Sequence, residues 1–237
     1  MTSRAVSVVL RERRARGWLM ALTFAAFAFC LGTAKPATAL TPPEEMVEKS
    51  RLTLQKLIGH PDVQELKRYL AEAKGVFIVP SLIKGAFIVG AEGGSGVLLV
   101  KGADGTWSSP AFFTLAAGSI GLQIGGQASE VVFTLMNWGA VDAVLDANAK
   151  LGGDLSIAVG PIGKGVEAST TVNFDEDIYA FSTAVGAFAG GALEGAAFIE
   201  RTSWNDQYYD SFAPSRAVVI DRKFYNGHAD PLRSLLP

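Results

Sequence analysis

The chain has 237 residues, with 21 Lys+Arg against 23 Asp+Glu, two histidines and one cysteine. Setting aside the first 39 residues removes six basic residues and one acidic residue, which leaves 15 against 22 and a net charge of −7. That balance argues against a nucleic-acid partner, which calls for a basic patch. The loss of Cys30 excludes disulfides, thiolate catalysis and cysteine metal sites.

The N-terminus reads as an export signal. Arg11, Arg13, Arg14 and Arg16 precede the uncharged stretch 17–34, and Ala37-Thr38-Ala39 supplies a small-x-small cleavage site. Residues 1–39 are therefore expected to be a signal peptide cleaved after Ala39, leaving a periplasmic or exported domain over 40–237. The alternative is an uncleaved inner-membrane anchor, because the 18 uncharged residues of 17–34 reach the lower limit for a spanning helix. Phe29 is too large for the residue before a lipidated cysteine, and the Arg13-Arg14 pair does not choose between export routes.

Thr41 is a helix N-cap, followed by Pro42, Pro43, Glu44 and Glu45, residues suited to a first turn. Met46, Val47, Ser50, Leu54, Leu57 and Ile58 share one face of the predicted helix. Gly59-His60-Pro61 ends it, and a second helix from Asp62 carries Val63, Leu66, Tyr69, Leu70 and Ala73 at helical spacing. Mixed charge on the polar faces points to core packing rather than membrane-surface insertion.

From Gly75 the pattern changes to short apolar runs punctuated by glycine. Strands are predicted near 75–80, 85–91, 95–101, 110–117, 119–127 and 130–136, with a turn at Ala103-Asp104-Gly105-Thr106. Residues 137–149 read as a helix with Trp138, Val141, Val144 and Leu145 on one face. Further strands are predicted at 151–160, 165–174, 178–185 and 192–201, then a short strand or loop at 215–220 and a terminal helical turn within 231–237. Glycines within strands mark bulges and bends. The fold class that results is α+β: a strongly curved, mainly antiparallel sheet, sandwich or half-barrel packed against N-terminal helices and one mid-chain helix. An outer-membrane barrel fails because its strands alternate lipid-facing and lumen-facing residues. Runs such as 76–79 and 97–100 are continuously apolar, as in strands buried on both faces.

The search for reactive groups is mostly negative. His60 lies in a helix break and His228 in a polar C-terminal stretch, neither with metal-ligand neighbours. Ser95 in Gly93-Gly94-Ser95-Gly96 lacks the Gly-x-Ser-x-Gly spacing of a nucleophile elbow. The glycines from Gly90 to Gly96 match no phosphate loop or dinucleotide fingerprint. Asp175, Glu176 and Asp177 read as a solvated turn, since adjacent strand side chains alternate in direction. Glu92 and Glu194 sit among glycines in apolar surroundings and are candidate buried carboxylates, serving a pocket or capping backbone amides. No catalytic residue, metal site or cofactor is predicted.

Residues 73–80, 90–98, 105–112, 121–125 and 187–195 together resemble the SYLF domain family, and the likeness runs from about residue 47 to 210. The resemblance implies a lipid-binding module. Eukaryotic members associate with phosphoinositide membranes and actin patches, and exported bacterial members are similar to phospholipid-binding envelope proteins. Eukaryotic members begin with a basic amphipathic segment, whereas Thr41-Pro42-Pro43-Glu44-Glu45 is acidic, so phosphoinositide specificity does not carry over. The expected function is noncatalytic phospholipid binding or membrane association in the bacterial envelope. The alternative is a protein-interaction or scaffolding module with an envelope protein as partner, and an enzyme using Glu92 and Glu194 ranks third. Lys84, Lys101, Lys164 and Arg201 are candidate headgroup contacts, and Trp107, Phe112 and Phe113 are candidate interface aromatics.

Overall fold

The computed structural model describes residues 39–87, 89–119, 125–146, 150–160, 174–182 and 195–237. Contacts divide the chain into two units, 1–39 and 40–237, and every described helix and strand belongs to the second. Helices α1 (Pro42–Gly59) and α2 (Leu66–Glu72) lead into strands β1 (Gly75–Phe87), β2 (Val89–Val100), β3 (Ala111–Ser119) and β4 (Gly125–Leu135). Helix α3 (Trp138–Leu145) precedes three short strands, β5 (Ile157–Val159), β6 (Ile178–Phe181) and β7 (Ala197–Glu200). Helices α4 (Thr202–Tyr209) and α5 (Ser215–Val219), a 3-10 turn (Gly227–Ala229) and α6 (Asp230–Arg233) close the chain.

The seven described strands form one curled sheet in the order β5-β6-β4-β1-β2-β3-β7, antiparallel except for the β5–β6 pair. Both faces are buried where the strands are continuously apolar. On one face Phe77, Leu98, Phe113, Phe133 and Phe198 pack with Val141 and Val144 of α3 and Val218 of α5. On the other, Ile78, Val97, Leu99, Phe112 and Val132 meet Leu54 and Leu57 of α1, Leu66 and Leu70 of α2, and Tyr208 of α4. Each large apolar side chain so enclosed contributes on the order of 1.5–3 kcal/mol. The buried residues of both layers all fall between Val47 and Leu236, so residues 40–237 carry the complete described core.

The capping expectation at Thr41 holds, with the Glu44 carboxylate accepting from the Thr41 N–H at 2.7 Å and from its hydroxyl at 2.8 Å. The strand boundaries differ from those that the sequence pattern predicts. The segments expected at 75–80 and 85–91, and those at 85–91 and 95–101, run together into the 13-residue β1 and the 12-residue β2. Glycine lets the strands continue through a crowded crossing. The register of β1 shifts between Val79 and Leu82, around Pro80, which has no N–H to donate. There the β1 backbone leans over β2, so that a Cβ on Gly94 would sit 2.5 Å from the Ser81 carbonyl oxygen. Residues 215–220, expected as strand or loop, are instead helix α5 and the turn that follows it, because Val218 and Val219 need a helical face to reach the sheet. The helix at 202–209 is an addition, and the strand expected at 165–174 lies outside the described residues but for Phe174.

The acidic run forms the expected turn with Asp175 exposed, and within it Asp177 is half-buried and hydrogen-bonded. Its carboxylate accepts from Asn137 Nδ2 at 2.7 Å and from the Ser156 N–H and hydroxyl, both at 2.9 Å, which ties the starts of α3, β5 and β6 together. Burial raises its pKa, but these hydrogen bonds outweigh burial and hold the carboxyl below its ordinary value.

Candidate functional site

The helical layer that holds α1, α2 and α4 covers only part of its face of the sheet. Residues paired across antiparallel strands point to the same side, and the register shows where the cover stops. Ile78 on β1 lies opposite Val97 on β2, which lies opposite Phe112 on β3, and all three are buried beneath the helices. The next rows outward on that face are Ser95, Thr114 and Ile199, then Ala128, Ile83, Gly93, Ala116 and Ala197. Ile83 is 55% exposed and Ile199 is 52% exposed. The curled sheet thus presents an open, apolar and small-residue surface at the end beyond the helices.

Arg201 borders this surface. Its backbone N–H continues the ladder by donating to the Phe112 carbonyl at 2.9 Å, which places its side chain on the face of Ile199. The guanidinium lies 3.6 Å over the Trp204 ring, and Trp204 in turn meets Phe112 edge-on at 6.0 Å. Arg201 Nη1 donates to Ser95 Oγ at 2.8 Å, and Ser95 Oγ is 3.2 Å from Thr114 Oγ1. Burial pushes the Arg201 pKa below the usual arginine value, and an arginine remains charged regardless. A stacked, pre-positioned cation beside two hydroxyls and an apolar surface is suited to an amphipathic anion.

Beneath this site a buried polar junction fixes the turn from β7 into α4. Asn205 is fully buried, accepts from the Phe112 N–H at 2.9 Å, and donates to Glu200 Oε1 at 3.1 Å and to Ser215 Oγ at 2.9 Å. Glu200 Oε1 also accepts from the Ser215 N–H and hydroxyl, at 2.8 and 2.7 Å.

The other candidates fall elsewhere. Trp107 is 4% exposed and donates from Nε1 to the Pro237 carbonyl at 2.8 Å, while Phe112 and Phe113 are fully buried on opposite faces of the sheet. These three rings pack the core rather than a membrane interface. Lys101 Nζ donates to the Ala71 carbonyl at 3.0 Å and lies 5.6 Å from the Trp107 ring, which secures α2 to the sheet. Lys84 and Glu92 are opposed in the β1–β2 register, but their side chains, and Lys164 and Glu194 entirely, lie outside the described residues. His60 Nδ1 accepts from the Asp62 N–H at 3.2 Å within its turn, and His228 Nδ1 is 3.5 Å from Tyr208 Oη. Among the described residues no group of acids, histidines and cysteines is placed to hold a metal ion, and no helix is long and apolar enough to cross a membrane.

Sequence reasoning named Arg201 but missed Ile83, Ile199, Thr114 and Trp204, and it weighed Ser95 only as a nucleophile. The alternation Ala197-Phe198-Ile199-Glu200 is the one local signal that Ile199 opposes the buried Phe198. Which rows the helices leave open depends on register, which single-sequence patterning does not supply.

Comparisons with known proteins agree with the family motifs. A family model described as Ysc84, Las17-binding protein actin regulator, matches residues 116–237. The chain is 38% identical over 141 residues to human SH3 domain-containing YSC84-like protein 1, a match covering 59% of this chain and 41% of that protein. It is 32% identical over 170 residues to Protein YSC84 of Saccharomyces cerevisiae, covering 70% of this chain and 36% of the yeast protein. LAS seventeen-binding protein 3 of the same yeast is 32% identical over 179 residues, covering 74% and 38%. The matched stretch therefore spans less than half the length of each of these relatives. No solved structure matches the chain.

Proposed function

Because the chain belongs to the Ysc84 family, the SYLF-domain family that its motifs resemble, we propose that it is a noncatalytic lipid-associating module that works at a membrane surface of the bacterial envelope after export. The observation that carries this reading is the uncovered end of the sheet, where Ile83 and Ile199 are more than half exposed on a face whose remainder is sealed by helices. Contiguous exposed apolar surface marks an interaction site. At a net charge of −7 over residues 40–237, long-range attraction to anionic lipid is weak, so association depends on local apolar contact rather than on a general basic field. The basic residues, uncharged stretch and Ala37-Thr38-Ala39 within residues 1–39, read as an export signal, support an envelope location.

Flotation of residues 40–237 with vesicles at low salt tests the reading. The domain is expected to float with the lipid, and Ile199→Asp, a change at an exposed position, is expected to reduce the floated fraction several-fold. Absence of the parent from both zwitterionic and anionic vesicles would end the lipid reading. The names of the relatives, which include Las17-binding proteins, support a second reading in which the same surface docks a protein. Recovery of one stoichiometric partner without any vesicle association would favour it.

A further inference from the structure

Resting on the lipid reading, we propose that Arg201, Ser95 and Thr114 form a phosphate-binding corner of the open surface, and that its ligand is an anionic phospholipid whose acyl portion lies against Ile83 and Ile199. Arginine pairing across the fold singles out this corner. Arg51, Arg68, Arg216, Arg222 and Arg233 each pair with a carboxylate, whereas Arg201 pairs with none among the described residues. Arg201 is also the one arginine of the six that stands at the edge of exposed apolar strand rows.

The stacking geometry leaves the right part of the cation accessible. Trp204 occupies the face of the guanidinium, while hydrogen bonds form at its edge, where five N–H groups are available. Among the described residues Ser95 Oγ takes one of them. The Ser95 hydroxyl accepts from Arg201, and the Thr114 hydroxyl stands within hydrogen-bond distance of it at 3.2 Å. One fixed cation and two orientable hydroxyls match the several acceptor oxygens of a phosphodiester, and stacking lowers the entropy lost when the fork engages them. The adjoining Gly93, Ala116 and Ala197 on the same face leave a shallow surface on which an extended chain can lie. A zwitterionic lipid carries the same phosphodiester, but its ammonium group offsets the charge, so a headgroup of net negative charge is what the corner favours.

The test compares residues 40–237 on phosphatidylcholine vesicles with the same protein on vesicles that also contain phosphatidylglycerol. The parent is expected to bind the anionic vesicles more tightly, Arg201→Gln to lose about tenfold in that binding, and Arg201→Lys to retain part of it. Ser95→Ala, which leaves the Arg201–Trp204 stack in place, is expected to weaken anionic binding by a smaller factor and keeps the test decisive should Arg201→Gln fail to fold. Circular dichroism establishes that each variant is folded. Folded Arg201→Gln and Ser95→Ala that bind like the parent would overturn the proposal, as would a parent that does not distinguish the two vesicle types, while both outcomes leave lipid association standing. A parent that binds neither type removes the lipid reading itself. Inorganic phosphate that binds lipid-free protein as tightly as the anionic vesicles do, read by tryptophan fluorescence, would assign the corner to a soluble anion and overturn the lipid assignment.

Discussion

Gly94→Ala probes the close approach of β1 to β2 beside the register shift in β1. An alanine Cβ at that position would lie 2.5 Å from the Ser81 carbonyl oxygen, 2.7 Å from Val79 Cγ1 and 3.1 Å from Leu82 Cα. Ordinary contacts begin at about 3.5 Å, so accommodation requires a backbone movement of roughly 1 Å by that measure. Two of the three obstructing atoms belong to the backbone of β1, which is anchored to β4 at Val79 and Leu82 on either side of the register shift. A side-chain rotation therefore cannot relieve the clash. Overpacking of this kind costs about 1–3 kcal/mol, and the rigid neighbours place Gly94→Ala toward the upper end, even after the entropy that alanine removes from the unfolded chain. For a domain of this size each kcal/mol shifts the melting temperature by about 2–4 °C, so a fall of roughly 5–10 °C is expected. Thermal unfolding of residues 40–237 followed by circular dichroism reads it. Gly59→Ala is the internal control: nothing lies within 4 Å of its Cβ at the end of α1, and it is expected to be neutral or to stabilise by about 0.5 kcal/mol. A Gly94→Ala variant that melts with or above the parent would refute the account of why glycine occurs within β2.

Two further predictions concern the polar junctions. Asn205→Leu leaves the buried Phe112 N–H without its acceptor and removes a donor from Glu200 and Ser215; a loss of about 2–4 kcal/mol is expected from orphaned buried groups, read as a lower denaturant midpoint with an unchanged slope. The Asp177 carboxyl titrates below its ordinary value in the folded protein, so its stabilising contribution is fully present above the unfolded-state pKa of about 3.9 and is lost as pH falls through the lower folded value. Asp177→Asn is therefore expected to destabilise the protein at neutral pH and to flatten the decline in stability below about pH 4. Parallel curves for parent and variant through that range would show that Asp177 does not carry the linkage.

Much of the fold was legible locally. The Thr41 cap, the amphipathic α1 and the break at Gly59-His60-Pro61 depend on neighbours a few residues apart, and each stands where the pattern places it. The continuous apolar runs announced strands covered on both sides, because alternation disappears only when both faces are dry. Strand ends were less legible: glycine within β2 reads locally as an interruption, and only the approach of Ser81 and Val79 from another strand shows it to be a passage. Helix α4 was missed because Thr202-Ser203-Trp204-Asn205 is a weak helix former by itself, held in place by the Asn205 junction to β3 and α5.

The candidate site divides along the same line. Residue chemistry alone determined that the chain is acidic and without cysteine once its first 39 residues are set aside, built of covered strands, with family motifs in order along the chain and few arginines, Arg201 among them. Tertiary structure decided which of those residues stand together. It withdrew Trp107, Phe112 and Phe113 into the core, tied Lys101 to Ala71, and brought Ser95, Thr114, Ile199 and Arg201 from three strands and a helix cap to one open end of the sheet. The reason is register: period-two alternation says which residues share a face within one strand, but only the pairing between strands says which rows the helices cover and which they leave exposed.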